Sequence, residues 1–205
     1  MNRLLTFNAD QRWRRALIER LGVGPGDVVL DLACGTGDFA EACQSRGATV
    51  VGLDFSRGML SIASGRVASG IALLQGDALC LPLATGSITV AVSGFALRNF
   101  VAIPPVLAEL ARVMSPGARL GLLEVDLPRN PLMRTGHGLY FNRVVPLLGG
   151  VISGERAAYR YLPASAAYLP SQEELVCALM DAGFRKVRKR SLMFGAIQSI
   201  DAVRR

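Results

Sequence analysis

A glycine-rich loop flanked by carboxylates is the segment of this chain best suited to bind a ligand. Residues 28–32 form an apolar run typical of a buried strand, Asp31 lies near its end, and Gly35, Thr36 and Gly37 follow. Because glycine has no Cβ, the backbone at Gly35 and Gly37 can turn tightly and can approach a ligand closely. A loop of this kind between a strand and a helix predicts a nucleotide-type cofactor site.

The charge of this loop separates two kinds of cofactor. The spacing of Gly35, Gly37 and Ala40 also satisfies the fingerprint of dinucleotide-binding proteins. A pyrophosphate would then have to lie against the helix N-terminus, where Asp31 and Asp38 place carboxylates. A cofactor that carries an ammonium group and a sulfonium, such as S-adenosylmethionine, is better matched to that acidic loop.

Two further aspartates follow the next two predicted strands. Asp54 ends the second strand, where a carboxylate can accept hydrogen bonds from both hydroxyls of a ribose, and Asp77 follows the third, where it can accept from an adenine amino group. Each aspartate alone has an ordinary alternative as a helix N-cap or a loop acid, but together with the glycine loop they favour a cofactor site. The cofactor-binding residues predicted in these segments are Asp31, Gly35, Thr36, Gly37, Asp54, Asp77 and Ala78.

A sheet must position these residues, since strand-like runs alternate with helix-like stretches along the chain. That alternation predicts an α/β fold with a parallel sheet covered by helices. Strands are predicted at residues 28–32, 49–54, 71–75, 88–93, 119–125, 186–193 and 196–203, and helices at 10–21, 38–46, 59–68, 105–114 and 172–182. Residues 128–169 show no strand pattern and are predicted to be a helical, loop-rich insertion.

Composition excludes several classes of protein. The 205 residues, 51% hydrophobic and 19% charged, suffice for one domain with a core and do not suit a largely disordered chain. The longest apolar runs, 88–97 and 144–152, are shorter than the ~20 residues of a membrane-spanning helix, and no signal peptide is expected. The four cysteines lie too far apart for a zinc or redox motif, so reduced thiols and no bound metal are expected. The net charge of +7 reflects either a GC-rich genome or attraction to an anionic surface.

Several motifs resemble those of a known family. Residues 52–60, Gly-Leu-Asp-Phe-Ser-Arg-Gly-Met-Leu, resemble its cofactor segment, as does the glycine loop. This resemblance implies that Phe55 and Met59 also bind the cofactor. Residues 95–99, Phe-Ala-Leu-Arg-Asn, look like its Gly-Leu-Arg-Asn motif, and residues 159–163, Tyr-Arg-Tyr-Leu-Pro, look like another of its specific motifs. On these residues, and on 2–7, 112–117 and 182–184, the chain resembles class I S-adenosylmethionine-dependent methyltransferases and, more narrowly, the ubiquinone/menaquinone biosynthesis C-methyltransferases.

The resemblance implies a fold, a cofactor and a reaction. The fold is α/β with a Rossmann-like seven-stranded methyltransferase sheet, mostly parallel with an antiparallel last strand, and with helices on both faces. Residues 1–205 would form one domain, in which the insertion at about 128–169 is a helical substrate lid. With S-adenosylmethionine as cofactor and no metal, the expected reaction is C-methylation of a prenylated quinol ring, in particular of demethylmenaquinol to menaquinol.

Resemblance and placement together assign four residues to the acceptor. Arg98 would stabilise the oxyanion that develops on a phenol, and Asn99 would orient the ring. His137, the sole histidine, is the natural general-base candidate, with simple packing inside the insertion as the alternative. Tyr161 would line the pocket or relay the proton.

Two carboxylates at the end of the fifth predicted strand have more than one role open to them. Glu124 and Asp126 face the usual substrate side of such a sheet, where either could act on a proton. Glu124 could equally tie down a loop.

A lipophilic quinol is the expected substrate, and transient contact with a membrane surface is a further expectation. The helix that contains Trp13, Arg14 and Arg15 could provide that contact, although such a run is more often a solvated basic face. The protein is expected to be a cytoplasmic homodimer, peripheral to the inner face of the membrane. Nucleic acid is not expected as a partner, because the basic run at 185–190 lacks interleaved aromatic residues for base stacking.

Other functions remain open from the sequence. The acceptor could be a soluble polyketide-like phenol or another small molecule. The chain could also bind the cofactor without turnover. An RNA methyltransferase is a further alternative, and it would bind RNA with a steep dependence on salt.

Overall fold

The computed structural model describes residues 9–126 and 169–205, in which helices and strands alternate as the sequence predicts. The helices are α1 (Ala9–Leu21), α2 (Asp38–Gln44), α3 (Arg57–Ser64), α4 (Ile103–Val113) and α5 (Gln172–Asp181). The strands are β1 (Val28–Leu32), β2 (Thr49–Asp54), β3 (Ala72–Gln75), β4 (Ile88–Gly94), β5 (Met114–Val125), β6 (Phe184–Leu192) and β7 (Ile197–Arg204). Short 3₁₀ turns follow β4 at Leu97–Asn99 and β6 at Met193–Gly195.

The seven strands belong to one sheet, in the order β3-β2-β1-β4-β5-β7-β6. Strands β1 to β5 pair with one another in parallel, whereas β7 is antiparallel to both of its neighbours, β5 and β6. This confirms the predicted sheet, mostly parallel with an antiparallel last strand. The strand order reverses direction between β1 and β4, which opens a crevice beyond the carboxyl ends of these strands, the usual ligand site of such sheets.

Helices cover both faces of the sheet, because successive residues of a strand point to opposite sides. In β1, Val29 packs with residues of α1 and α2, whereas Leu30 belongs to the core formed with α4 and α5. Each large apolar side chain buried in this way contributes about 1.5–3 kcal/mol relative to an exposed one. Fully buried helical side chains include Leu17, Ile18, Leu107 and Leu110.

Helix α3 starts earlier than the sequence predicted. The helix begins at Arg57 rather than Met59, because the Oγ of Ser56 accepts a hydrogen bond from the backbone N–H of Met59 at 3.3 Å. A serine in this position satisfies one of the unpaired N–H groups of the first turn. The helix ends at Ser64, before Gly65, rather than at residue 68.

Strand β5 is longer than predicted because it contains an irregularity. Met114 pairs with Ile88, but the next recorded pair joins Arg119 to Val90, so the register shifts between them. Gly117 lies in this stretch with a φ of 83°, a conformation that favours glycine. The turn-like residues around Gly117 therefore interrupt the regular pairing without ending the strand.

One side chain holds the two described ends that flank residues 127–168. The Nζ of Lys189 in β6 donates to Oδ2 of Asp126 at 2.5 Å and to Oε1 of Gln172 at 3.0 Å. Asp126 directly follows β5 and Gln172 begins α5. Both ends therefore lie on the side of the sheet where the parallel strands have their carboxyl ends, which is also the side of the crevice.

Several predictions fall outside the described residues. The lid expected at 128–169 lies outside them except for Leu169. His137, Tyr161 and the motif at 2–7 also lie outside the described residues. Within residues 9–126 and 169–205, every helix is too short or too polar to cross a membrane.

Candidate cofactor site

A cavity of about 650 Å³ lies in the crevice at the carboxyl ends of β1 to β4. The loops that follow these strands form most of its wall, and Arg14 of α1 and Phe39 of α2 complete one side. The structure thereby brings together residues that the sequence places in separate segments. The predicted residues that line the cavity are Asp31, Gly35, Thr36, Asp54, Phe55, Met59, Asp77, Ala78 and Asn99.

The glycine loop joins the end of β1 to the first turn of α2. Asp31 is buried, and its Oδ2 accepts a hydrogen bond from the backbone N–H of Ala40 at 2.9 Å. Gly35 has a φ of 56°, and a Cβ added there would meet no protein atom within 4 Å, so its backbone borders open space. Gly37 precedes α2 and does not line the cavity; a Cβ added there would collide with Val67.

The carboxylate of Asp54 bridges two neighbouring loops. Its Oδ2 accepts from the N–H of Gly35 at 2.8 Å, and its Oδ1 accepts from the N–H of Ser56 at 2.8 Å. Because each carboxylate oxygen has two lone pairs, both can still accept from ribose hydroxyls. Asp77 is fixed in a similar way, since its Oδ1 accepts from the N–H of Leu79 at 2.9 Å.

Burial controls the protonation of the innermost groups. Loss of hydration raises the pKa of Asp31 to about 7, against the opposing effects of the Ala40 N–H and the charge of Arg14. A cationic ligand group beside Asp31 would favour its ionised form. Burial also raises the pKa of the Cys34 thiol, which therefore stays neutral and is not an activated nucleophile.

Asp38 adds less negative charge to the cavity than its place in the loop predicts. Its Oδ1 lies 3.1 Å from Nη2 of Arg66, whose Nη1 donates to the carbonyl oxygen of Thr36 at 3.1 Å. Arg66 therefore offsets part of the charge of Asp38, and the acidity of the cavity depends mainly on the other three aspartates.

Arg14 is a site residue that the sequence reasoning missed, since it placed this arginine on a basic surface run. Its side chain is only 6% exposed and lines the cavity. Its Nη1 pairs with Asp10, and its guanidinium carbon lies 5.3 Å from the ring centre of Phe39 and 5.6 Å from that of Phe95. The signal was present in the helical spacing, because Asp10 and Arg14 share the buried stripe of α1 that continues at Leu17. Arg14 is therefore not available to a membrane surface.

Arg98 and Asn99 are adjacent in the turn after β4 but differ in their surroundings. Asn99 is exposed and lines the cavity. Arg98 is not part of the cavity wall; its Nη1 pairs with Oε1 of Glu124 at 2.6 Å, and both side chains are nearly inaccessible to solvent. The structure does not bring Arg98 to the cavity surface as the sequence reasoning expected.

Glu124 fixes the turn in which Arg98 lies. Burial raises the pKa of Glu124, while the charge of Arg98 and the backbone N–H groups of Val125 and Leu97 oppose that rise. The N–H of Val125 donates to Oε1 at 2.9 Å. Of the roles open to Glu124, the structure supports that of tying down a loop. Asp126, the other candidate, pairs with Lys189 of β6.

Metal-ligating side chains do not cluster in the part of the chain that the structure describes. No group of three or more His, Cys, Asp or Glu residues there could hold a metal ion, and the four cysteines are free thiols.

The sheet order and the antiparallel strand β7 are those of the fold of class I S-adenosylmethionine-dependent methyltransferases, and the acidic glycine loop fits their cofactor. The fold matches that of a solved SAM-dependent methyltransferase from Aquifex aeolicus, with a TM-score of 0.68 and 18% identity over 93% of this chain and 88% of that one. It also matches phosphoethanolamine N-methyltransferase 2 of Haemonchus contortus in complex with S-adenosyl-L-methionine, with a TM-score of 0.71 and 14% identity over 94% of this chain and 52% of that one. At these identities the similarity establishes the fold alone.

Sequence comparison narrows the class to a family. Residues 1–204 match the ubiE/COQ5 methyltransferase family. The chain is 43% identical over 200 residues to the demethylmenaquinone methyltransferase of Thermus thermophilus, covering 95% of this chain and 90% of the relative. It is 41% identical over 203 residues to the ubiquinone/menaquinone biosynthesis C-methyltransferase UbiE of Syntrophotalea carbinolica, covering 96% and 85%. The chain therefore belongs to the ubiE/COQ5 methyltransferase family and is an S-adenosylmethionine-dependent methyltransferase, as its motifs indicated.

Proposed function

We propose that this enzyme methylates a ring carbon of a prenylated quinol, converting demethylmenaquinol to menaquinol. One observation carries the proposal: the cavity lined by the cofactor residues is also lined by the apolar residues Phe95, Phe100 and Val101 and by Asn99. An apolar wall with one polar group suits a lipophilic ring that has to be oriented. The relative from Thermus thermophilus, named a demethylmenaquinone methyltransferase, supports the same acceptor.

The residues of the cavity fit S-adenosylmethionine. Asp54 and Asp77 would accept hydrogen bonds from the ribose hydroxyls and the adenine amino group, and Asp31 would pair with the ammonium group. The open space beside the backbone of Gly35 leaves room for the ligand to approach the loop. The cofactor supplies a methyl group activated by its positive sulfonium, and the same aspartates favour that charge. Thr36, Phe55, Met59 and Ala78 would complete the wall around it.

Much of the catalysis in such a transfer comes from alignment, because methyl transfer is an in-line displacement. Asn99 lines the cavity and would hold the acceptor ring through its amide. The apolar side chains of Phe95 and Phe100 would exclude water from the space between the two reactants.

The reacting carbon becomes more nucleophilic when the phenol beside it loses its proton. Arg98 would stabilise the resulting oxyanion. Arg98 lies behind the cavity wall and pairs with Glu124, so its charge would act on the phenolate across the wall and not through a direct hydrogen bond. His137 and Tyr161, outside the described residues, are our candidates for accepting or relaying the proton.

We assign residues 128–169 the role of a lid over the acceptor. Lys189 holds the described ends on either side of this segment, at the sheet edge where the cavity lies. The segment includes apolar residues suited to a prenyl tail, namely Leu139, Val144, Val145, Leu147, Leu148, Val151 and Ile152. Such an acceptor would be drawn from a membrane, which supports transient contact of the enzyme with a lipid surface.

The test is methyl transfer from labelled S-adenosylmethionine to a panel of acceptors by the purified protein. The panel contains demethylmenaquinol, the same ring without a prenyl tail, and a soluble polyketide-like phenol. We expect label on a ring carbon of the long-tailed quinol, with a higher kcat/KM than for the tail-free ring.

Two outcomes would contradict the proposal. Transfer to the soluble phenol alone would favour the small-molecule alternative. Binding of S-adenosylmethionine by calorimetry without transfer to any acceptor would favour a cofactor-binding protein without turnover.

A further inference from the structure

Arg14 places a positive charge in a cavity whose other charged groups are acidic. Among the described residues that line it, Arg14 is the single basic side chain, and the acidic ones are Asp31, Asp38, Asp54 and Asp77. Burial of a charged group is costly unless an opposite charge and hydrogen bonds compensate it. The partners of Arg14 therefore indicate what this part of the cavity is built to hold.

Among the described residues, the guanidinium of Arg14 forms an ion pair with one carboxylate and keeps a buried N–H group without an acceptor. Its Nη1 pairs with the buried carboxylate of Asp10. Its Nε is buried and has no hydrogen-bond partner. Because an unpaired buried N–H is unfavourable, and more so on a charged group, an acceptor from outside the protein would complete this site.

Two aromatic rings and a glycine hold the guanidinium in place. It lies over the rings of Phe39 and Phe95, an arrangement that favours a cation and restricts its rotation. A Cβ added to Gly94 would lie 2.8 Å from Cε2 of Phe39 and 3.9 Å from Nη2 of Arg14. Glycine at this position leaves the room that the ring and the guanidinium occupy.

We infer that Arg14 binds the α-carboxylate of the methionine moiety of S-adenosylmethionine through its Nε and Nη2 groups. The inference rests on the cofactor assigned in the proposed function. A carboxylate pairs most strongly with two parallel N–H groups of one arginine, and the unpartnered Nε belongs to such a pair. The carboxylate is the anionic group of this cofactor, which otherwise carries positive charges.

The order of the strands gives the cofactor a direction that agrees with this assignment. Asp77 and Asp54 follow β3 and β2, at one side of the crevice, whereas Arg14 lies against Phe95, which follows β4 at the other side. The adenosine part would occupy the β3 and β2 side. The amino-acid part would then extend past Asp31 toward β4, where Arg14 stands.

Arg14 would therefore select for the amino-acid end of the ligand rather than for adenosine. Asp31 would bind the ammonium group, and Arg14 the carboxylate beside it. A ligand that keeps the amine but lacks the carboxylate should bind without using Arg14.

The experiment measures the dissociation constants of S-adenosylhomocysteine and its decarboxylated analogue, which keeps the amine, by calorimetry. We expect Arg14→Gln to raise the dissociation constant of S-adenosylhomocysteine by about 10- to 100-fold, the range for a hydrogen-bonded charge pair. The decarboxylated analogue should bind wild type and variant about equally, within roughly threefold. Arg15→Gln is the matched control, because Arg15 is the next residue of α1 and is exposed.

A second pair of variants keeps the test valid if removal of Arg14 leaves Asp10 unpaired and the protein unfolds. Asp10→Asn combined with Arg14→Gln removes both charges, and Arg14→Lys keeps a charge without the side-on pair of N–H groups. The double variant should lose discrimination between the two ligands, and the lysine variant should keep part of it.

Equal losses for both ligands in a folded variant would show that Arg14 only supports the fold, and the inference would then be wrong. Unchanged affinity for S-adenosylhomocysteine would overturn it as well. The proposed acceptor can fail separately from this inference. If Arg14 is needed to distinguish the two ligands but the protein methylates no quinol, the proposed substrate is wrong and the role of Arg14 stands.

Discussion

The carboxylate of Glu124 at the end of β5 pairs with the guanidinium of Arg98 in the turn after β4, with 2.6 Å between Oε1 and Nη1. Both side chains are nearly inaccessible to solvent, and the pair links the end of β5 to the turn that also carries the cavity residue Asn99. The position of Arg98 therefore depends on a residue from another strand.

Replacement of Glu124 should impair catalysis more than cofactor binding. Glu124→Ala leaves Arg98 buried without its partner, which we expect to lower the free energy of unfolding by about 3 kcal/mol or more. The displaced turn should reduce kcat/KM about 10- to 100-fold, with the affinity for S-adenosylhomocysteine unchanged. Glu124→Gln should restore part of the activity. Asp201→Asn, in the more exposed pair with Arg190, is the control and should have little effect on turnover.

Cofactor binding should depend on the ionisation of Asp31. Burial raises the pKa of Asp31 to about 7 in the free protein. Below this pH most molecules carry a neutral Asp31, and the ammonium group of the cofactor has to bind the minority in which Asp31 is ionised. We expect the affinity for S-adenosylhomocysteine to fall about tenfold for each pH unit below the pKa and to level off above it. In Asp31→Asn this slope should disappear. A slope of the same size for methylthioadenosine, which lacks the amino-acid part, would contradict the assignment.

The same group should contribute to the pH dependence of stability. The native protein holds the proton of Asp31 up to a pKa of about 7, whereas an unfolded aspartate loses it near pH ~4. Between these values the native state binds more protons than the unfolded state, so this contribution to stability falls as the pH rises and is constant above the native pKa. Denaturation of wild type and Asp31→Asn across this range measures the difference. A wild-type advantage that grows with rising pH would have the wrong sign.

Asp54 should affect every ligand that contains adenosine. In Asp54→Asn one oxygen becomes an NH₂ donor, which must face the N–H of either Gly35 or Ser56 and repel it. We expect the affinities for S-adenosylhomocysteine and methylthioadenosine to fall together by about 10- to 100-fold. Removal of Arg14, in contrast, should leave methylthioadenosine binding intact. A loss confined to S-adenosylhomocysteine would place Asp54 at the amino-acid end instead.

Lys189 should matter for the acceptor and not for the cofactor. Lys189→Met removes the hydrogen bonds to Asp126 and Gln172, so the two ends of the segment that we propose as a lid would no longer be held together. We expect the KM for the long-tailed quinol to rise about tenfold, with the affinity for S-adenosylhomocysteine unchanged. Lys186→Met, in the same strand and exposed, is the control. If the KM for the tail-free ring rises as much, the segment does not act on the tail.

The sequence predicted the fold, and it located the aspartates that line the cavity, because their signals are local. A strand followed by a carboxylate, as at Asp54, needs only neighbouring residues to be recognised, and the parallel sheet then brings these ends together. Arg14 was missed because its role depends on contacts with Phe39 and Phe95, which lie far along the chain. The start of β5 was missed because an irregular pairing allows a strand to continue through turn-like residues. The pairing of Arg98 with Glu124 likewise requires the three-dimensional structure.

The hydrogen bonds of Lys189 also bear on how members of this family can diverge. When the two ends of a connection are held together, doubling its length costs only about 0.6 kcal/mol of chain entropy. The stretch between Asp126 and Gln172 can therefore gain, lose or exchange residues with little penalty to the sheet that binds the cofactor. Under the lid role that we propose for this stretch, acceptor choice could change independently of the cofactor site, and exchange of the segment between relatives at these two positions would be a route to new methylation specificities.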